Sequence, residues 1–336
     1  MPSAEIAVIG AGSWGTALAL YLGQSGYSVR LWVRSHELAQ EIERTAENKL
    51  YLPGYQLPAS VKPSSSALEV LGGSSTIICA VPSHTVRETF HLLKPHVTRG
   101  SAILSATKGI ENETCLLMSD VILEVLGADL HPQVAALSGP SFALEVARGD
   151  PTAAVVASLD ESLARSFQGQ FSGRNLRLYT NADLIGTQIG GAVKNIIAIA
   201  AGIVNGLGFG SNTAAALITR GLAELKRLCI ATGGHPETLS GLAGLGDLVL
   251  TATGALSRNR SLGIALGRGQ KLDEILSATH FVAEGVKTTR SAYTLARRLH
   301  VEMPITEQMY EVLYQNKAPM AAIRNLMERE LKSEFS

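Results

Sequence analysis

Residues 5–16 read Glu-Ile-Ala-Val-Ile-Gly-Ala-Gly-Ser-Trp-Gly-Thr. A short apolar run that stops at a glycine and reopens as a helix-forming pattern is a strand, a turn and a helix. Gly10, Gly12 and Gly15 fit G-x-G-x-x-G within that context, which makes the spacing informative. The first glycine permits the tight turn, the second leaves room for a diphosphate against the backbone, and the third lets the helix approach the sheet. The free N–H groups and the dipole at the helix start then favour phosphate charge. Tight packing of strand and helix without a ligand is the plainer use of the same glycines.

Outward from this unit, short apolar segments recur at 28–33, 76–80, 101–105, 133–138 and 152–157. None alternates strictly, as expected when helices cover both faces of a parallel sheet. Helix-length patterns separate them, for example at 14–25, 85–94 and 111–126, and the rhythm predicts an open α/β domain. After about residue 180 the pattern changes. Apolar and small residues now recur at helical spacing through 184–204, 211–232, 284–300 and 305–315. The only charges between 180 and 230 are Asp183, Lys194, Arg220, Glu224, Lys226 and Arg227, so this stretch predicts helices packed on most sides. Residues 1–180 are therefore assigned to a dinucleotide-binding α/β domain and 181–336 to an all-helical domain.

Composition narrows the function classes. The 336 residues carry 29 basic and 29 acidic side chains, a formal net charge of zero, which gives no footing for non-specific nucleic-acid binding. Three scattered cysteines in no Cys-x-x-Cys spacing fit a reducing compartment. The eight histidines show no His-x-x-x-His and no carboxylate cluster accompanies them, so no metal is expected. Lys194, Asn195 and Asn205 interrupt the longest low-charge stretch, and the chain reads as cytosolic, without membrane insertion. The 33 glycines are the compositional outlier.

Several strand ends carry polar turns that converge at the carboxyl edge of such a sheet, where these folds bind ligands. An acidic residue commonly ends the second strand of an NAD-selective site, but here Arg34 and Ser35 stand there. Arg34 suits a ribose 2′-phosphate or stacking on adenine, which favours NADP(H), with NAD(H) also accepted. Lys108, in Ala-Thr-Lys-Gly, suits an anionic substrate or a proton-transfer network, and His84, in Val-Pro-Ser-His, suits proton transfer, a helix cap or another hydrogen bond, the last two being the more ordinary uses. Lys194 lies inside an apolar helix and needs a carboxylate, water or ligand; a partly desolvated lysine moves protons near neutral pH. Asp247, in Gly-Leu-Ala-Gly-Leu-Gly-Asp-Leu, is its expected partner or else a helix N-cap, with Thr251 adding a hydroxyl. Arg258 and Asn259, in Ser-Arg-Asn-Arg, provide a donor fork and an amide for a phosphate on a small substrate. The glycines at 190, 191, 241, 244 and 246 are expected to allow close packing around this chemistry.

Taken in order, IGAGSWGTALA, VPSH, ATKG, SGPSFA, GGAVKNIIAIAAGI, GLAGLGDLVLT, SRNR, VAEGVKT and VEMPITEQMYEVLY span the chain. In that combination the sequence resembles the bacterial NAD(P)-dependent glycerol-3-phosphate dehydrogenases. The resemblance implies an α/β Rossmann-like amino-terminal domain followed by an all-α carboxyl-terminal domain, homodimerisation, and reduction of dihydroxyacetone phosphate to sn-glycerol 3-phosphate. By similarity Ser13, Trp14, Arg34, His36, Ala143, Val282 and Glu284 meet the dinucleotide, and Lys108 and Arg258 border both cofactor and substrate. Gly139, Ser141, Ser257 and Asn259 approach the phosphorylated triose, with Lys194 as proton-transfer residue beside Asp247. Two other classes remain open on the motifs alone: another two-domain dehydrogenase acting on a small anionic substrate, and a non-enzymatic dinucleotide sensor.

Overall fold

The structure is a computed structural model, and it describes residues 5–278, 284–331 and 333–334. The amino-terminal half alternates strand and helix: β1 (Glu5–Ile9), α1 (Ser13–Gln24), β2 (Ser28–Trp32), α2 (His36–Thr45), β3 (Val61–Ser64), α3 (Ala67–Leu71), β4 (Thr76–Cys79), α4 (Val86–Leu93), β5 (Ala102–Ser105), α5 (Met118–Leu126), β6 (Gln133–Ser138), α6 (Ala143–Arg148), β7 (Thr152–Ala157), α7 (Glu161–Phe171) and β8 (Leu176–Asn181). These eight strands form one sheet in the order β3-β2-β1-β4-β5-β6-β7-β8. Its first six strands have the 3-2-1-4-5-6 order of a doubly wound dinucleotide-binding sheet. The amino-terminal domain is therefore Rossmann-like, and helices follow it throughout the remainder.

One expectation of a parallel sheet fails. β7 runs antiparallel to β6, although every other pair is parallel. The α6 helix has six residues, an axial rise of about 9 Å. A six-residue strand spans about 20 Å, so the chain re-enters the sheet from the end it left. The edge strands β3 and β8 escape the apolar pattern. β3 reads Val-Lys-Pro-Ser, and proline fits at an edge because it has no ladder N–H to leave unpaired.

The carboxyl-terminal half consists of α8 (Leu184–Gly206), α9 (Ser211–Ala231), α10 (Asp247–Thr253), α11 (Arg258–Gly267), α12 (Leu272–Ser277), α13 (Glu284–Arg298), α14 (Pro304–Tyr314) and α15 (Pro319–Met327). The tail beyond Met327 is not helical among its described residues. α8 is long and apolar enough, by length and composition, to cross a membrane. Nevertheless 89% of its most apolar window is buried inside the fold, as in the core helix of a packed domain.

Two apolar cores flank the sheet, one beneath α1 and α7 and the other beneath α3, α4 and α5. A third centres on Ile189, Val193, Ile196, Ile197 and Ile203 of α8. It also takes Ile110, Cys115 and Leu117 from the loop after β5. That loop is tied to α13, where Ser291 Oγ donates to Asn112 Oδ1 (2.6 Å) and Arg298 Nη1 donates to the Thr114 carbonyl (3.2 Å).

Glycines set the spacing of α8 against its neighbours. A Cβ on Gly202 would lie 2.1 Å from the Arg260 carbonyl oxygen, and one on Gly263 would lie 2.1 Å from that of Ile199. Gly206 and Gly267 repeat the contact one turn further on. A Cβ on Gly190 would meet the Ala243 carbonyl at 2.4 Å, and one on Gly244 the Leu239 carbonyl at 2.2 Å. Gly241 and Gly246 have only ordinary contacts, so of the five glycines expected to pack closely around the site these two are not constrained by space. The glycine-rich stretch before Asp247 is a π-helical turn, Leu242–Gly246, a wider winding that often marks functional sites.

Candidate active site

The strand order reverses between β1 and β4, which opens a crevice above the carboxyl ends of these strands. A cavity of about 750 Å³ fills it. Gly10, Gly12, Ser13, Trp14, Arg34 and Ala143 line its nucleotide side, and Lys108, Ser141, Lys194, Thr251, Ser257, Arg258, Asn259 and Glu284 line the remainder. Gly15 lies beneath the wall, where an added Cβ would sit 1.8 Å from the Gly10 carbonyl oxygen. His36 stands outside the wall, since its ring nitrogens engage Ser65 Oγ (3.1 Å) and Gln40 Nε2 (3.0 Å) on the rim of α2. Val282 lies outside the described residues.

The nucleotide side has the shape a diphosphate needs. Gly10 adopts φ +108°, a conformation that favours glycine, and nothing lies within 4 Å of a Cβ built on Gly12. Gly12 begins α1 without a side-chain cap, which leaves the helix N-terminus available to an anion. The loop is held from behind by Asn48, whose Nδ2 donates to the Ala11 carbonyl (2.8 Å) and to Thr16 Oγ1 (2.9 Å). No local sequence signal marks Asn48, because its partners are distant in the chain. Ser13 Oγ donates to the Tyr51 carbonyl (2.7 Å), and the buried Trp14 Nε1 has no partner. Arg34 is exposed on the cavity wall, whereas Ser35 caps α2 by accepting from the Leu38 N–H (3.2 Å). The residues lining this side of the cavity therefore fit a dinucleotide.

Opposite this loop, α8 passes the end of β6 so closely that a Cβ on Gly191 would lie 2.6 Å from Ser138 Oγ. One turn later it delivers Lys194 into the crevice. Lys194 Nζ donates to Asp247 Oδ1 and to Thr251 Oγ1 (2.8 Å). The Thr251 hydroxyl in turn donates to the Asp247 backbone carbonyl (2.7 Å), which fixes the lone pair it presents to the lysine. Lys108 Nζ donates to the other carboxylate oxygen, Asp247 Oδ2 (2.7 Å), and to the Gly139 carbonyl (2.9 Å). Asp247 is fully buried and sits at the first position of α10, with Gly246 at the cap, so its side chain serves the lysines rather than the helix end. An ammonium has three N–H donors. Each lysine thus keeps one beyond the two made inside the protein, and both line the cavity.

This cluster perturbs protonation. Burial pushes the Lys194 ammonium down from the ordinary lysine value, to about 7; the Asp247 carboxylate opposes the shift and the Lys108 charge adds to it. Burial raises the Glu284 carboxyl, offset by the Ser83 N–H it accepts (3.2 Å) and by the charges of Arg258, Lys108 and Lys194. Glu284 thereby joins α13 to the turn after β4. Ser257 caps α11 by accepting from the Arg260 N–H (3.2 Å), which sets Arg258 and Asn259 at the helix start beside the cavity. Asn195 was not among the sequence candidates, yet it lines the cavity and its Oδ1 accepts from Asn259 Nδ2 (3.0 Å). Its position next to Lys194 in an apolar helix was the available signal. Among the described residues no group of His, Cys, Asp or Glu is arranged to hold a metal ion.

Two family profiles match the chain: the NAD-dependent glycerol-3-phosphate dehydrogenase N-terminus over residues 5–164 and the corresponding C-terminus over residues 183–324. A glycerol-3-phosphate dehydrogenase (NAD(P)+) of Koribacter versatilis is 52% identical over 332 residues, covering 98% of each chain. One from Geobacter sp. (strain M21) is 52% identical over 330 residues, again with 98% coverage of both. The crystal structure of glycerol-3-phosphate dehydrogenase from Coxiella burnetii superposes with a TM-score of 0.94 at 41% identity, over 98% of this chain and all of that one.

Proposed function

Because the chain belongs to the NAD-dependent glycerol-3-phosphate dehydrogenase family, we propose that its Lys194–Asp247–Lys108 cluster handles the proton of the family reaction. The enzyme reduces dihydroxyacetone phosphate to glycerol 3-phosphate with NAD(P)H, forming a precursor of glycerophospholipids. The observation that carries the assignment of roles is the buried Lys194, held by Asp247 and Thr251 and facing a cavity shared with the glycine loop.

When bound, the coenzyme supplies the hydride for the ketone carbon. The remaining work falls to this chain. Arg258, Asn259 and the start of α11 hold the substrate phosphate, with Ser257, Gly139 and Ser141 framing the triose; a fixed phosphate positions the carbon for reaction. Cationic Lys194 donates its free proton to the oxygen as alkoxide character develops, and Lys108 adds a second positive charge nearby. Asp247 keeps both ammonium groups aimed into the cavity. In the reverse direction neutral Lys194 accepts the alcohol proton. Ser13, Trp14, Arg34, Ala143 and Glu284 hold the coenzyme, and the exposed Arg34 on the wall supports a preference for NADP(H), with NAD(H) accepted.

The division into residues 1–180 and 181–336 is supported by the end of the sheet at Asn181 and the start of α8 at Leu184. Homodimerisation rests on the family resemblance, and sedimentation of the purified chain tests it. A cytoplasmic location is supported by three free, buried thiols, Cys79, Cys115 and Cys229. The decisive assay is an initial rate with dihydroxyacetone phosphate and either NADPH or NADH. Oxidation of neither coenzyme would remove the reading.

A further inference from the structure

The Val-Pro-Ser-His turn after β4 carries a histidine that the reaction above does not use. We propose that His84 positions the coenzyme, donating an Nε2–H hydrogen bond to a phosphate oxygen of the dinucleotide from a neutral ring. The inference rests on the dinucleotide reading of the cavity and deepens it.

His84 lines the same cavity as the glycine loop and Arg34. Its Nδ1 is buried without a hydrogen-bond partner. A proton on Nδ1 would be a buried donor with nothing to receive it, an expensive arrangement, whereas a bare lone pair there is less demanding. The single proton of the neutral ring therefore belongs on Nε2. Nε2 is not among the buried unpartnered atoms and makes no hydrogen bond to the described residues, so it lies on the open side of the ring.

The surroundings select the ligand chemistry. Burial, and after it the positive charges of Lys287 on α13 and Arg34 just past β2, hold the ring's pKa below the ordinary histidine value. The carboxylates nearby are Glu88, one turn along α4 on the cavity wall, and Glu284, which is engaged with the Ser83 N–H. Two cations flanking a neutral donor suit an anionic oxygen acceptor, and phosphate is the anionic group of a dinucleotide. A neutral imidazole adds its hydrogen bond without bringing a third charge into that field.

The test is direct titration of NADPH and of NADH, read by coenzyme fluorescence, against the purified wild type, His84→Ala and His84→Gln at pH 6.5 and 8.5. Thermal melts check that each variant is folded. His84→Ala should weaken binding by roughly tenfold, the size of one hydrogen bond to a charged group. His84→Gln, which retains a neutral N–H donor of similar reach, should restore most of the affinity. The ratio of wild type to His84→Ala should be the same at both pH values. A loss confined to NADPH assigns the contact to the 2′-phosphate; an equal loss with NADH assigns it to the shared diphosphate. Unchanged affinity of His84→Ala for both coenzymes overturns the proposal. So does a glutamine variant as weak as alanine, or a wild-type advantage that vanishes at pH 8.5, which would mean the charged ring makes the contact. Coenzyme binding without turnover of dihydroxyacetone phosphate would leave this inference standing and remove the functional reading instead.

Discussion

Replacing Gly202 with alanine places a methyl group where α8 and α11 touch backbone to backbone. The added Cβ would lie 2.1 Å from the Arg260 carbonyl oxygen and 2.8 Å from the Gly263 Cα. Neither atom is the far end of a flexible side chain, so α11 must retreat by about 1 Å before repulsion is relieved. Overpacking of this kind costs about 1–3 kcal/mol, while alanine in a helix interior returns up to about 1 kcal/mol relative to glycine. A net loss of up to about 2 kcal/mol remains, and each kcal/mol lowers Tm by about 2–4 °C in a domain of this size. The catalytic effect should exceed the thermal one. Arg258 begins α11 two residues before the displaced carbonyl, and a 1 Å misplacement can cost about 100-fold in rate. We expect KM for dihydroxyacetone phosphate to rise about tenfold or more while NADPH affinity, set mainly by the other domain, changes much less. Gly169→Ala is the matched control, because that α7 glycine has nothing within 4 Å of an added Cβ and should gain stability. Equal melting temperatures for the two variants, or an unchanged KM in G202A, would refute the packing argument.

Lys194→Ala should lower kcat by about 100-fold to 10,000-fold, the range for general acid catalysis, with NADPH binding preserved; near-normal turnover would remove its proton-transfer role. Arg258→Ala should raise KM for dihydroxyacetone phosphate more than for a phosphate-free ketone, which a steady-state comparison of the two substrates checks. Arg34→Ala should shift the NADPH-to-NADH preference toward NADH, and an unchanged ratio of kcat/KM values would sink the 2′-phosphate contact. The pH dependence follows from a lowered lysine pKa. Reduction requires the ammonium, so its rate should fall as pH rises through about 7, and oxidation should rise over the same interval. Lys108→Met removes the neighbouring charge and should move both limbs to higher pH, as pH–rate profiles would show. For stability the sign is different. A folded pKa below the unfolded value leaves the neutral lysine favoured in the fold, so stability from this group is lost as pH falls toward about 7.

The parts of the fold legible in the sequence were those written locally. The glycine turn, the central apolar strands and the charge-poor helix α8 each declare themselves within a dozen or so residues. The antiparallel return of β7 does not, because it depends on how far the short α6 carries the chain. β3 and β8 are edge strands with mixed polarity: β3 is four residues long without alternation, and β8 alternates buried and exposed residues instead of forming the continuous apolar run that marks the central strands. At the site, Lys194 was conspicuous as a charge in an apolar helix, and a carboxylate partner followed from electrostatics. That Lys108 shares the same carboxylate was not visible, since the pairing joins segments on different domains. His36 illustrates the opposite case: sequence position placed it near the adenosine, but Ser65 and Gln40 occupy its ring nitrogens. The pairing of Gly202 and Gly206 with Gly263 and Gly267 had a local signal, a four-residue spacing in each helix. Only the packed structure matches the two spacings.

The loop after β5 gives the two halves unequal independence. Ile110, Cys115 and Leu117 belong to the first half by chain order, yet they fill the core around α8. A chain severed after Asn181 would therefore deprive the helical half of three apolar plugs and expose the seats they occupy. In return the α/β half loses a single apolar insert among the described residues, Leu184 of α8, which packs with Ala136 and Ala157. Modular reuse of this architecture is consequently asymmetric. A nucleotide-binding half can be grafted elsewhere with its loop dangling, whereas the helical half can be transplanted only with a borrowed piece of its neighbour. An excised helical fragment supplied with a peptide spanning residues 107–117 would be the smallest unit expected to regain its native hydrophobic interior.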